Sequence, residues 1–367
     1  MGKGRAAVLT AFSQPLEVRE FEISEARGND VVVRTKFSGT CGTEVHQWEG
    51  KIAGTPLPSI LGHEVVGTIF DIGEEVKVDL AGNDVKKGDQ VYVAYPSSCG
   101  RCHYCMLGYP ASCMNPPHLS VIGRKCTESP HFFGGYGEYV YVHGENVLKL
   151  PNDIPPDVAV AFGCGASISL RALEYAGTPM PDQTVVVQGS GPVGLFNVLW
   201  AKKNGAFVIC IGSPDSRLEM AAALGADHCI NVGKFDAKER VKRVKEMTDG
   251  IGADMVIEAT GNPQAVPEGM EMSRDFGTYV VIGQFSDRGP IEVKPHYITL
   301  RGLRIIGSGP IQLNRDYWKY LYKVLPSAKA KFQTIRSLIT HRWSLDEATE
   351  SIRAVKELRA VKSIIVP

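Results

Sequence analysis

The sequence predicts an α/β fold: a barrel-like β domain joined to a doubly wound parallel sheet. Strand-like runs fill roughly the first 150 residues, and strands then alternate with helices from Thr184 to Ser308. Between the two regions, at 151–157, "PNDIPPD" marks a change of texture.

The early strands are "RAAVLTAF", "LEVREFEI", "DVVVRTKF", "HEVVGTIFDIG", "DQVYVAYP" and "GEYVYVHGENVLKLP". Each is β-branched, aromatic or alternating, and Gly, Pro, Asp or Asn separates it from the next. From Asp157 onward apolar residues recur at helical spacing. "TVVVQ" (184–188) is then a strand, followed by a helix to about Asn204 that Gly205 stops. "FVICI" (207–211) precedes a second helix, "SRLEMAAALGAD", ended by Gly225. "DMVIEATG", "GTYVVIG" and "LRIIGS" continue the series, and such βα units imply a parallel sheet covered on both faces. After Pro310 the pattern is mainly helical and closes on the strand "KSIIV".

Lys+Arg and Asp+Glu balance at 40 each, so no global field favours nucleic acid or an anionic membrane. "MGKGRAAVLTAF" does not read as a signal peptide, and no run of about 18 apolar residues exists to span a bilayer. A cytoplasmic enzyme is expected, and in that compartment thiols stay reduced. The nine cysteines are therefore read as metal ligands or small buried apolar residues. Four of them, Cys99, Cys102, Cys105 and Cys113, follow C-x2-C-x2-C-x7-C, a spacing that lets four thiolates wrap one zinc in a closed tetrahedron. That site has no vacancy for substrate, so this loop is held in shape and carries no reaction. With one Arg, one His and no Lys, "GRCHYCMLGYPAS" has too little charge to engage a phosphate backbone.

Within "TVVVQGSGPVGLF" lies G-x-G-x-x-G: Gly189, Gly191 and Gly194, with Pro192 and Val193 between the last two. The pattern follows a strand and opens a helix, the context in which it binds a dinucleotide pyrophosphate. The second strand ends in "CIGSPDSR", with Gly212 where a ribose-binding carboxylate is expected. Ser213 and Arg217 could meet a 2′-phosphate, whereas Asp215 would favour a ribose hydroxyl, so NAD and NADP both stay open. Outside the four-cysteine loop, Cys41, Thr43, Glu44, His46, His63, Glu64 and Cys164 offer the residue types of a catalytic metal site. Taken singly, Cys41, His63 and Cys164 also read as core residues.

Over essentially its whole length the chain resembles the zinc-dependent medium-chain alcohol dehydrogenases. "GHEVVGTIFDIG" fits that family's zinc signature, the four-cysteine spacing fits its structural lobe, and Cys164 stands 25 residues before Gly189, as its third ligand does. The resemblance implies a GroES-like catalytic domain at 1–165, carrying the zinc lobe at 95–115, and a Rossmann domain at 166–305. Residues 306–367 would return to the catalytic domain, and the cleft would be the active site. It implies two zinc ions per chain, one catalytic on Cys41, His63 and Cys164 and one structural, with NAD or NADP as coenzyme. The metal would act as a Lewis acid on an alcohol whose hydride passes to nicotinamide.

Thr43 and His46 match the proton-relay positions, and Glu44 stands where the family carries an Asp that orients the ligand histidine. Glu64 would touch the metal shell, replace a water on zinc or be a plain structural carboxylate, and Lys362 would reach the pyrophosphate unless it is a solvated surface lysine. Trp48, Tyr95, Tyr136 and Gln284 would line the substrate pocket and suit a secondary or cyclic alcohol. A polyol dehydrogenase of the same family and a catalytically inactive, zinc-stabilised, NADPH-binding regulatory protein are the alternatives. Family habit adds a homodimer or homotetramer. Cys126, Cys210 and Cys229 match no ligand position and read as packing residues.

Overall fold

A computed structural model describes residues 2–95, 98–115, 123–284, 286–309 and 314–367 of the chain. Of the lobe expected over 95–115, residues 96 and 97 lie outside the described residues, as does Pro310. The chain divides into two units, Met1–Cys164 with Ile311–Pro367, and Gly165–Pro310.

The first unit opens with β1 (Lys3–Leu9), β2 (Glu17–Glu22), β3 (Asp30–Thr40), β4 (Ser59–Ile60), β5 (Glu64–Ile72), β6 (Gln90–Val93), β7 (Tyr139–His143) and β8 (Val147–Lys149). Alternation decides which face each strand buries. Val31 and Val33, Val65 and Ile69, Val91 and Val93, and Val140 and Val142 stand two or four residues apart and pack into one apolar cluster. β3 is the hub, antiparallel to both β5 and β7. Its register sets Gly39 opposite Glu64. Cys41, just past the end of β3, and His63, just before β5, are thereby brought together.

The second unit holds β9 (Thr184–Gln188), β10 (Phe207–Gly212), β11 (His228–Asn231), β12 (Ala253–Glu258), β13 (Ser273–Val281) and β14 (Arg304–Gly307). All are parallel, in the order β11-β10-β9-β12-β13-β14. The order reverses between β9 and β12, the switch point at which open α/β sheets bind ligands. The first connecting helix, Pro192–Lys203, stops at Gly205, whose φ of 87° continues no helix. The unit runs past the boundary expected at residue 305, because β14 pairs with β13 as far as Gly307.

The chain then returns to the first unit with β15 (Ile339–Trp343) and β16 (Lys362–Ile365). β16 lies antiparallel to β3, Ser363 opposite Thr40, and so sets Lys362 beside the end of β3, next to Cys41. Among the described residues no helix is long and apolar enough to cross a membrane.

Candidate active site

Two groups of metal-binding side chains stand out among the described residues. The first is Cys41, His63, Glu64 and Cys164, whose donor atoms all lie within 4.8 Å of one another. Cys41 is the N-cap of the helix Gly42–Trp48, its Sγ accepting from Thr43 N at 3.3 Å. Cys164 opens the helix Cys164–Ala176. Both sulfurs thus sit at helix N-termini, where the backbone favours thiolates. They are 3.5 Å apart, and Cys41 Sγ is 3.8 Å from His63 Nε2. Tetrahedral zinc with bonds of ~2.3 Å separates two sulfurs by roughly 3.8 Å, so this donor set fits zinc. The hydrogen bond between the sulfurs holds Cys41 well below the ordinary thiol range and pushes Cys164 up.

Glu44, one methylene longer than the Asp of the family pattern, reaches the histidine. Its Oε1 meets His63 Nδ1 at 2.5 Å and its Oε2 accepts from Cys41 N at 2.9 Å, closing a capping box on the same helix. With Nδ1 engaged, His63 presents Nε2 to the sulfurs. Burial pushes the Glu44 carboxyl up, and His63 beside it partly offsets this.

Glu64 is fully buried and already engaged: Oε1 accepts from Cys164 N at 2.7 Å and Oε2 meets Lys362 Nζ. A Cβ on Gly39 or on Gly163 (φ 52°) would overlap one or other carboxylate oxygen. Lys362 is only 1% exposed, which excludes the surface-lysine reading, and its ammonium is committed to Glu64 rather than left to reach a pyrophosphate. Burial pulls that ammonium down, but Glu64 and the two sulfurs outweigh burial and leave it above its usual value.

The second group is Cys99, Cys102, Cys105 and Cys113. Cys102 Sγ lies 3.4 Å from Cys105 Sγ and 3.9 Å from Cys113 Sγ, again spacings that fit zinc. Backbone N–H groups of Cys99, Met114 and Asn115 point at these sulfurs. Those of Met114 and Cys105 draw Cys102 down to about 6.

In the second unit the glycine loop follows β9 as the sequence requires. Gly189 has a φ of 119°, and a Cβ on Gly194 would overlap the Gly189 carbonyl oxygen. Gly194→Ala is therefore expected to open the turn and weaken coenzyme binding by about 1–3 kcal/mol, read as a rise in Kd by calorimetry. At the end of β10 a Cβ on Gly212 would overlap Ser190 Oγ, which itself donates to Ser213 O at 3.1 Å. Asp215 is held by Asn231 Nδ2 at 2.6 Å and Lys234 Nζ at 2.9 Å, and Arg217 is 8% exposed.

Comparison with known proteins agrees with this geometry. Residues 27–152 match the model of the alcohol dehydrogenase GroES-like domain, and residues 192–325 that of the zinc-binding dehydrogenases. The 5-exo-hydroxycamphor dehydrogenase of Pseudomonas putida is 33% identical over 370 residues, covering 100% of this chain and 99% of that one. The chain belongs to the zinc-dependent medium-chain alcohol dehydrogenases. A crystal structure of an alcohol dehydrogenase from Thermotoga maritima superposes with a TM-score of 0.92 at 33% identity, covering all of both chains. A zinc-binding dehydrogenase of Sinorhizobium meliloti, solved with NADP, gives a TM-score of 0.82 at 26% identity over 100% of each chain. As an alcohol dehydrogenase of this family, the protein is an oxidoreductase that works with zinc and a nicotinamide coenzyme between an alcohol and its carbonyl compound.

Two of the four expected pocket residues of this dehydrogenase lie elsewhere. Trp48 is 5% exposed, its indole N–H donates to Gln14 O at 2.7 Å, and it packs in the core cluster of the first unit. Tyr136 is fully buried in that cluster, with its hydroxyl on Thr40 Oγ1. Tyr95 does stand by the candidate metal group, its ring centroid 5.8 Å from that of His63. Gln284 belongs to the second unit, where its Nε2 is buried and makes no hydrogen bond to a described residue. Thr43 and His46 share the helix Gly42–Trp48, three residues apart on one face. Cys126 and Cys210 are buried as expected, but Cys229 is exposed on the edge strand β11. Lys362 could not be found as the partner of Glu64 from sequence, because no local pattern links residues 298 positions apart.

Proposed function

We propose that this dehydrogenase oxidises an alcohol, best a secondary or cyclic one, and reduces the corresponding ketone or aldehyde, at a zinc held by Cys41, His63 and Cys164. The observation that carries this reading is that two sulfurs and one ring nitrogen converge while the neighbouring carboxylate, Glu64, is engaged by Cys164 N and Lys362. Three protein ligands leave a fourth position for the substrate oxygen. When bound, zinc would supply Lewis acidity at that oxygen and the nicotinamide would supply the hydride acceptor. Glu44 fixes the tautomer and tilt of His63. Thr43 and His46, one turn apart, carry the proton between the substrate oxygen and water. Gly189, Gly191, Pro192, Val193 and Gly194 would hold the pyrophosphate at a helix N-terminus, and Ser213 and Arg217, just after β10, would take the adenosine ribose. Cys99, Cys102, Cys105 and Cys113 hold the second, structural zinc.

The relative named for a hydroxylated camphor supports a bulky ring substrate. A panel of 5-exo-hydroxycamphor, cyclohexanol, sorbitol and ethanol, followed by reduced-nicotinamide absorbance with NAD and with NADP, is expected to give its highest kcat/KM on a cyclic alcohol. A maximum on ethanol overturns this reading, and a maximum on sorbitol returns the polyol one. Elemental analysis is expected to find two zinc ions per chain, where an inactive regulatory protein would hold one. We place the enzyme in the cytoplasm as a homodimer or homotetramer without nucleic-acid or membrane partners. The balanced charge supports the last point. The open edge of the parallel sheet, β14, with Arg304, Ile305 and Gly307 exposed, supports self-association, which light scattering would measure.

A further inference from the structure

One buried acid of the second unit belongs neither to the metal pocket nor to the glycine loop. Glu258, the last residue of β12, is fully buried. Its Oε1 accepts from Thr260 N at 2.7 Å, Thr260 Oγ1 at 2.7 Å and Gly261 N at 2.8 Å, and its Oε2 accepts from Gly283 N at 3.1 Å. Its backbone carbonyl takes Ile282 N at 2.9 Å as well. The four side-chain partners are neutral donors aimed at both oxygens. Three of the four are backbone N–H groups, which can only donate, and they reach both oxygens, so the arrangement fits the ionised carboxylate. Thr260 and Gly261 lie in the turn after β12, and Gly283 in the turn after β13. The carboxylate therefore ties two neighbouring strand ends together and keeps a negative charge buried between them.

Strand order indicates what that charge acts on. A dinucleotide crosses the carboxyl ends of such a sheet at the switch point, with its pyrophosphate on the glycine loop after β9 and its adenosine ribose at the end of β10. The nicotinamide half then falls toward β12 and β13, whose end turns are the two that Glu258 joins. The glycine loop abuts the same turn: a Cβ on Gly189 would stand 2.8 Å from Ala259 O. A Cβ on Gly283 would stand 2.8 Å from Glu258 Oε1. Backbone thus packs closely against the carboxylate at Gly283 and against its turn at Gly189.

Resting on the dinucleotide reading above, we propose that Glu258 is a positioning residue for the nicotinamide half of the coenzyme. Its carboxylate ties the turns after β12 and β13, and its buried charge favours the oxidised, cationic ring over the reduced, neutral one.

The test compares equilibrium binding of the two coenzyme forms, by calorimetry for the oxidised one and by nicotinamide fluorescence for the reduced one. In Glu258→Gln the preference for the oxidised form is expected to fall about tenfold relative to the parent enzyme, the size expected of one charge acting over roughly 10 Å of protein. Thr260→Val, which removes one donor and keeps the charge, is expected to weaken both forms by the same factor. If Glu258→Gln does not fold, Thr260→Lys serves instead. It places an ammonium beside Oε1 from an exposed position, and the same preference is expected to fall severalfold. An unchanged ratio in the charge-altering variant, with or without weaker binding of both forms, reduces Glu258 to a structural brace and overturns the proposal. Failure of the parent enzyme to bind either form overturns the dinucleotide reading itself.

Discussion

Cys164→Ser is expected to abolish turnover while the protein stays folded. Cys164 contributes one of the two sulfurs, 3.5 Å from the other, and its own backbone N–H holds Glu64 in place. Serine keeps that N–H and nearly the same volume, so the loss falls on the donor atom alone. Replacing a thiolate by a hydroxyl is expected to weaken zinc binding by more than about 100-fold, since even partners of the ligands are worth 10–100-fold. Losing the Lewis acid removes several kcal/mol of transition-state stabilisation, a fall in kcat of about 10³-fold or more. Zinc content should drop from two ions per chain toward one, with an unaltered circular dichroism spectrum. A near-parental rate would reject the assignment of Cys164, whatever the metal content.

Lys362→Met is expected to destabilise the first unit by about 3–5 kcal/mol, because it strands the carboxylate of Glu64 with no counter-charge in a fully buried site. The oxygens cannot turn to water: the backbones of Gly39 and Gly163 press on both, and the Cys164 N–H keeps one of them in place. Urea unfolding followed by fluorescence measures the loss. Adding Glu64→Gln to the same chain should recover most of it, since the two positions act as a pair rather than as independent sites. If Lys362→Met unfolds at the parental midpoint, the ion pair carries no net stability and Glu64 finds another partner.

What could be read from sequence was what lies close along the chain. The G-H-E signature, the four-cysteine spacing and the glycine pattern each occupy fewer than 20 residues, and their physics is local: a turn, a helix start, sulfurs on short loops. Strand patterning likewise gave the β-rich start and the βα middle, because alternation and helical spacing are short-range signals. The family resemblance puts Trp48 and Tyr136 at a substrate pocket, but in sequence an aromatic side chain looks alike in a pocket and in a core. Only packing tells the two apart: here an indole N–H on Gln14 and a hydroxyl on Thr40. The hold of Lys362 on Glu64 and of Glu258 on Gly283 depends on which strands become neighbours, and no periodicity announces that.

The antiparallel docking of β16 on β3 also sets an order of events at the ribosome. By the time Cys41, His63, Glu64 and Cys164 have been translated, the lysine that neutralises Glu64 is still almost 200 codons away. All of the parallel-sheet unit, one unbroken stretch, is made in that interval and has the chance to fold by itself. Until β16 docks on β3, Glu64 stands without its counter-charge.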